Sequence, residues 1–191
     1  LLNAAAVHIY ALADGVLVGA VRVSLGDPLG QTPHLRTAFQ LDKFSPFPTA
    51  SFSLTDRLVV ALDRRTGPVA AMLLAAAFKL ARRRDCRFDF AHCAPSLVQL
   101  YERLGYRRYS DNFMDHDGAY QVPMVLLLED YGHLGIIRSP FARLASEHKQ
   151  SNETAVWFAR TFPVAAARPS EQGMSEDRFW QIGRASWWGR V

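Results

Sequence analysis

The chain has 191 residues and a mass of 21.4 kDa, a length that suits one domain with a substantial core. Its 49% hydrophobic and 21% charged residues exclude a wholly disordered chain, and its two cysteines exclude a disulfide framework. The net charge of +4 is unevenly distributed, because residues 57–108 contain eleven basic and four acidic side chains, a local net of +7. A field of this kind raises the encounter rate with anionic partners.

The first third of the chain predicts a hairpin, a long connection and a buried strand. Two β-like runs, residues 6–12 and 16–25, flank an Asp14-Gly15 turn, which is typical of a hairpin. Residues 26–51 contain four prolines and two glycines and are predicted to form an irregular connection of a length often associated with function. Residues 52–62 are predicted to form the next strand.

The middle of the chain alternates helices and strands. After a sharp turn at 63–68, an apolar stripe predicts a helix over about 68–83, for which Pro68 suits the first position. A strand at 86–92 and a second helix at 97–104 follow, and Gly105 is a typical C-terminal stop.

The remaining predicted elements complete a succession of strands and helices that is typical of an α/β fold. Residues 106–114 and 120–128 are predicted to form a strand pair across Asp117-Gly118, followed by helix and loop through His148. We expect one domain over residues 1–148 and a helical extension or linker over 149–191, with linker composition at 165–173 and exposed aromatics near its end. The longest uncharged apolar run, 68–78, is about half the length of a membrane span, so we expect no membrane span and a cytoplasmic protein.

The turn before the first long helix has the features of an anion site. Backbone N–H groups and the positive dipole end favour an anion at a helix N-terminus. Arg64 and Arg65 add forked donors beside Gly67. A Gly-Pro helix start is also common without any ligand, so both interpretations stay open.

Two motifs resemble the GNAT superfamily of acyltransferases. The donor-binding turn of that family, Arg/Gln-x-x-Gly-x-Gly/Ala, is similar to residues 64–69, and its Tyr-x-x-x-Gly-Phe/Tyr motif is matched by residues 101–106. The turn departs from the family pattern at Pro68 and Val69. The resemblance implies a mixed central sheet flanked by helices, here without most of the initial strand and two helices usual in the fold.

A narrower resemblance covers about residues 15–143. The stretches 15–23, 57–60 and 123–128, with His133-Leu134 and Ser139-Pro140-Phe141, look like the N-acyl amino acid synthases, relatives of the acyl-homoserine-lactone synthases. That family implies transfer of a long fatty acyl chain from acyl carrier protein to the amine of an amino acid. Acyl-CoA stays open as the donor, and no metal is expected.

The resemblance also assigns roles to residues. It implies that Tyr101 protonates the leaving thiolate, for which a neutral phenol is suited; a core tyrosine is the alternative. The donor would be held by the turn residues Arg64, Arg65, Thr66, Gly67, Val69 and Ala70.

Two further side chains are candidates for the acceptor side. Arg22 lies in an apolar strand, where an unpaired charge is costly. The resemblance implies that it lies near the acyl or acceptor site, and a structural ion pair with Asp56 is the alternative. His92 follows the second core strand and is either an ordinary strand-end residue or the acceptor of the amine proton. Glu102 and Asp89 are weaker candidates for that base.

The basic run would suit an acidic acyl carrier protein, docked through Lys79, Arg82, Arg83 and Arg84. We expect an acyltransferase that works by direct attack of an amine on a thioester. An acetyl-CoA-dependent N-acetyltransferase and a non-catalytic module of the same fold are the alternatives. Nucleic-acid binding is not favoured, because the run lacks interleaved aromatics.

Overall fold

A computed structural model describes residues 6–26, 30, 32–65, 67–115, 117–147 and 151–167. The seven strands are β1 Ala6–Ala13, β2 Val16–Leu25, β3 Phe52–Val60, β4 Phe88–Cys93, β5 Arg107–Arg108, β6 Phe113–Met114 and β7 Tyr120–Leu127. The helices are α1 Pro33–Ala38, α2 Val69–Arg83, α3 Val98–Leu104, α4 Tyr131–Ile136, α5 Ala142–Ser146, α6 Glu153–Thr161 and α7 Pro163–Ala167. Short 3-10 turns occupy Leu41–Phe44, Thr49–Ser51, Leu62–Arg64 and Pro95–Leu97.

The strands form one mixed sheet in the order β1-β2-β3-β4-β7-β5, and β6 pairs with β7. The predicted first hairpin is confirmed: Asp14 and Gly15 have φ values of 52° and 77°, as the tight turn between right-twisted strands requires. Among the strands of the described residues, only β3 and β4 are parallel neighbours. The predicted α/β fold with helices flanking a mixed sheet is therefore confirmed.

The two parallel strands separate after a short paired segment. Their register runs from Phe52 opposite Phe88 to Leu54 opposite Phe90, although β3 continues to Val60 and β4 to Cys93. Just beyond that point, Arg57 has a φ of 51° and the β2–β3 register shifts. A bulge of this kind bends its strand, so β3 turns away from β4 and a gap opens between them.

Helices α2 and α3 cover one face of the sheet. Val69 and Leu73 of α2 pack so closely on β2 that a Cβ on Gly19 would lie 2.9 Å from each. Farther along, Phe78 of α2 packs into the same cluster as Leu104 of α3. The first turn of α2 is thereby fixed beside the end of β3.

The opposite face is covered by the connection that the sequence predicted to be irregular. It forms α1 and two 3-10 turns, and it buries Leu35, Phe39, Phe44 and Phe47 against the sheet. Its prolines and glycines are typical of irregular structure and gave no indication of this packing. The packing is favourable because each fully buried phenylalanine stabilises the fold by about 2 kcal/mol. The prediction of an irregular connection was therefore wrong for the residues that form this helix and these two turns, Pro33–Ala38, Leu41–Phe44 and Thr49–Ser51.

The other differences lie after α3. The strand predicted over 106–114 is broken into β5 and β6, because Tyr109 turns into the core, where its hydroxyl donates to the Phe39 carbonyl at 2.6 Å. Helix α6 packs Phe158 and Phe162 into the core against α1 and the sheet. Residues 163–167 are helical, which differs from the linker predicted to start at 165, and the aromatics predicted near the end lie outside the described residues.

Candidate active site

The predicted anion-binding turn lies between the end of β3 and the start of α2. Arg65 Nε donates to the Val60 carbonyl at 3.1 Å, which ties the turn to β3. The N–H of Gly67 already donates to the Arg64 carbonyl at 3.1 Å, and Pro68 has none. We call the predicted anion site at this turn the seat. Because the first N–H groups of a helix have no intrahelical acceptor, Val69 and Ala70 would supply its amides. Thr66, also predicted here, lies outside the described residues.

A buried polar cluster sits on the same face, where the parallel strands begin to part. The Asp89 carboxylate is 3% exposed and accepts hydrogen bonds from Ser53 Oγ at 2.6 Å, from Thr55 Oγ1 at 3.0 Å and from the Tyr106 hydroxyl. Burial raises the pKa of Asp89 to about 6, although these hydrogen bonds act in the opposite direction. The sequence signal for this cluster is a charged residue inside the Phe88-Asp89-Phe90 strand.

Tyr101 packs directly on this cluster. Its ring meets that of Tyr106 edge to face at 5.3 Å between centroids. The αL conformation of Gly105, with φ of 113°, ends α3 and turns Tyr106 into the core. Burial, followed by the nearby Cys93 and Asp89, raises the pKa of Tyr101. The phenol is therefore protonated at neutral pH.

Arg22 forms the ion pair that the sequence left open. Its Nε donates to Asp56 Oδ1 at 2.7 Å and its Nη2 to Asp56 Oδ2 at 2.5 Å, a bidentate contact between side chains that are about nine-tenths buried. Every second residue of β3 lies on one face of the sheet, and this places Asp56 on the same face as Phe52 and Leu54. The pair therefore belongs to the face opposite Tyr101 and lies at the edge of the gap.

His92 lies on the other side of the gap, on the same face as Arg22. It shares one face of β4 with Phe88 and Phe90, and the centroid of its ring lies 6.1 Å from that of Phe39. Its Nδ1 is 3.1 Å from Gln121 Oε1. The structure thus brings Arg22 and His92 to one face and Tyr101 with the turn to the other.

The predicted basic run is divided by the fold. Arg82 is buried and its Nη1 contacts the Glu129 carboxylate at 3.2 Å, so its inclusion in an exposed docking surface was wrong. Lys79, Arg83 and Arg84 are exposed. Glu129 lies 47 residues downstream of Arg82, which is why local sequence did not reveal the pair.

The described part of the chain offers neither a cluster of metal ligands nor a membrane-spanning helix. No group of three or more His, Cys, Asp or Glu is placed to hold a metal ion. None of its helices is long and apolar enough to cross a membrane.

Parallel strands that part beside a helix N-terminus, followed by a helix that ends in a buried tyrosine motif, define a protein of the GNAT fold. Solved structures share this fold. FeeM, an N-acyl amino acid synthase from uncultured soil microbes, has a TM-score of 0.54 and 13% identity, covering 73% of this chain and 75% of its own. MesI, a CoA-dependent acyl-homoserine lactone synthase, has a TM-score of 0.51 and 18% identity, covering 77% and 71%. BjaI, another such synthase, solved with SAM and isopentyl-CoA, has a TM-score of 0.51 and 14% identity, covering 93% and 73%.

The sequence itself identifies the family. The profile of the family described as N-acyl amino acid synthase FeeM matches residues 2–130, and no curated protein matches significantly. The chain belongs to the N-acyl amino acid synthase FeeM family, and it is an N-acyltransferase.

Proposed function

We propose that this enzyme transfers a long-chain fatty acyl group from the thioester of an acyl carrier protein to the amine of an amino acid. The observation that carries the proposal is the gap between β3 and β4, which has the anion seat and Tyr101 on one face and Arg22 with His92 on the other. The thioester would enter from the first face and the amine from the second. Family membership supports this chemistry.

The reaction is a direct displacement. The neutral amine attacks the thioester carbonyl, the C–N bond forms, and the C–S bond breaks. Backbone N–H groups of β3 beyond Leu54, on the side where the described residues provide no strand partner, would stabilise the developing oxyanion. His92 would accept the amine proton, and Tyr101 would give its proton to the leaving thiolate.

The carrier-protein donor is supported by the positions of the cations. Lys79, Arg83 and Arg84 lie near the C-terminal end of α2, about 20 Å along the axis from its first turn. A globular partner of about 100 residues has a diameter of about 30 Å. An acidic carrier would therefore be able to reach this patch while its phosphopantetheine phosphate occupies the seat.

The test compares donors. The protein is incubated with pooled amino acids and either palmitoyl-carrier protein, palmitoyl-CoA or acetyl-CoA, and new amides are measured by mass spectrometry. We expect palmitoyl amides, formed fastest from the carrier protein. Amides formed from acetyl-CoA alone would favour an N-acetyltransferase and overturn the long-chain proposal.

Charge reversal separates the two long-chain donors. Lys79→Glu or Arg84→Glu should raise the KM for palmitoyl-carrier protein and leave that for palmitoyl-CoA within twofold, whereas Arg160→Glu, an exposed control on α6, should change neither. Equal effects on both donors would contradict docking through this patch.

A further inference from the structure

A chain of three polar side chains leads away from the gap along β7. His92 Nδ1 lies 3.1 Å from Gln121 Oε1, and Gln121 Nε2 donates to Asp115 Oδ2 at 2.9 Å. Gln121 and Pro123, the register partner of His92 on β7, lie on one face of that strand. We call His92, Gln121 and Asp115 the relay.

The far end of the relay is fixed by the backbone. Asp115 Oδ1 accepts from the N–H groups of Asp117 and Ala119 at 3.0 and 2.8 Å, and the turn is closed by Asp115 N donating to the Ala119 carbonyl at 2.9 Å. The other carboxylate oxygen is thereby aimed at Gln121. The near end is fixed by packing, because the His92 ring lies 6.1 Å from Phe39 and 6.0 Å from Phe113.

This arrangement has only one consistent direction of donation. An ionised carboxylate accepts hydrogen bonds and donates none, so the Gln121 side chain must present its NH₂ group to Asp115. Its carbonyl oxygen then faces His92, and an oxygen acceptor requires a proton on Nδ1. In a neutral imidazole the other nitrogen, Nε2, is left with the lone pair.

We infer that Gln121 and Asp115 are positioning residues that hold His92 as the Nδ1–H tautomer, so that Nε2 accepts the proton of the attacking amine. The inference rests on the proposed function, since it names the atom that carries out its proton transfer. As the C–N bond forms, one amine proton moves to Nε2 and the imidazolium later releases it to solvent. The thiolate takes its proton from Tyr101, and the Tyr101 phenolate then regains a proton from solvent. Both side chains return to their starting states, and amide and free thiol are the only products.

The test reverses the polarity of the relay without changing its shape. In Asp115→Asn the new amide can still accept from the turn N–H groups while donating to Gln121. The Gln121 amide would then turn over, present its NH₂ to Nδ1 and select the Nε2–H tautomer. We expect kcat for amide formation to fall at least about tenfold, as wrong-tautomer variants do in other enzymes, with the donor KM within twofold.

A second variant restores the original direction. In Asp115→Asn combined with Gln121→Glu, the asparagine donates to the new carboxylate, which again accepts from Nδ1–H. We expect this double variant to recover most of kcat. Asp111→Asn, the same chemical change at an exposed position outside the relay and its turn, should leave kcat unchanged.

The tautomer is read directly by two-bond proton–nitrogen NMR correlations of ¹⁵N-histidine-labelled protein, with the His92 signal assigned from His92→Gln. We expect Nδ1–H in the wild type and the double variant, and Nε2–H in Asp115→Asn. The inference is overturned if Asp115→Asn keeps Nδ1–H, or if the tautomer reverses while kcat does not change. If the wild type forms no acyl amide, the proposed function and the proton-accepting role both fail, whereas the NMR signals still decide the tautomer.

Discussion

Replacing Asp89 by asparagine should stabilise the protein at neutral pH. The carboxylate is fully buried, and its pKa is raised from an ordinary 3.8 to about 6, chiefly because burial disfavours the charged form. At neutral pH the ionised carboxylate therefore lowers the free energy of unfolding by about 3 kcal/mol relative to a group that stays neutral. An asparagine can still accept from Ser53 and Thr55 through its oxygen, and its NH₂ can donate to the Tyr106 hydroxyl oxygen. Residue 89 therefore keeps a hydrogen bond to each of the three side chains, with the direction reversed at Tyr106.

The direction of the pH dependence follows from linkage. The folded state holds the Asp89 proton more tightly than the unfolded state, so the contribution of this group to stability is complete below about pH 3.8. It is lost as the pH rises to about 6 and stays constant above that value. Asp89→Asn should therefore match the wild type near pH 4 and exceed it by up to about 3 kcal/mol near pH 7.5.

Urea denaturation followed by circular dichroism at the two pH values measures this difference, and the subtraction removes the titration of the other acidic groups. Asp85→Asn, at an exposed position, is the control and should stay within about 0.5 kcal/mol at both. If Asp89→Asn costs more stability near pH 7.5 than near pH 4, the ionised carboxylate stabilises the fold and the reasoning is refuted.

Three further outcomes follow from the site. Tyr101→Phe should lower kcat by about 10² with little change in KM, as loss of a general acid does, whereas Tyr109→Phe on the opposite face should retain kcat; equal losses would point to a structural effect. Arg22→Ala should cost about 3–5 kcal/mol in urea unfolding, because it leaves Asp56 buried without its partner, and Arg22→Met with Asp56→Leu should recover most of that; a single-variant cost below about 1 kcal/mol would contradict the burial argument. Arg64→Ala should raise the donor KM about threefold to tenfold at constant kcat, and an unchanged KM would remove Arg64 from the seat.

The parts of the fold that the sequence predicts are set by local chemistry. Asp14-Gly15 requires two positive φ angles, and Gly105 ends α3 in a conformation where a Cβ would lie 2.3 Å from Leu134. The turn before α2 and the tyrosine motif around Tyr101 are also local patterns, and the structure places both on the same face of the sheet. Their direct contact with a donor stays a prediction.

The parts that the sequence does not predict depend on distant partners. Asp89 meets Ser53 from 36 residues away, and His92 meets Gln121 from 29 residues away. The sequence allowed Arg22 to be either a site residue or half of an ion pair, and only the strand order places Asp56 of β3 beside it. The composition of residues 26–51 also led to a wrong prediction of irregular structure. There the tertiary packing of aromatic side chains outweighs the preference of the prolines for irregular structure. Local periodicity carries no information about such contacts, since they are set by strand order and register.

A crystal structure with a palmitoyl-phosphopantetheine thioether, which cannot react, tests the account most directly. The phosphate should lie on the first turn of α2, the sulfur within hydrogen-bond distance of the Tyr101 hydroxyl, and the acyl chain between β3 and β4. A ligand bound elsewhere on the protein, or a sulfur remote from Tyr101 with the strands closed by side chains, would contradict it.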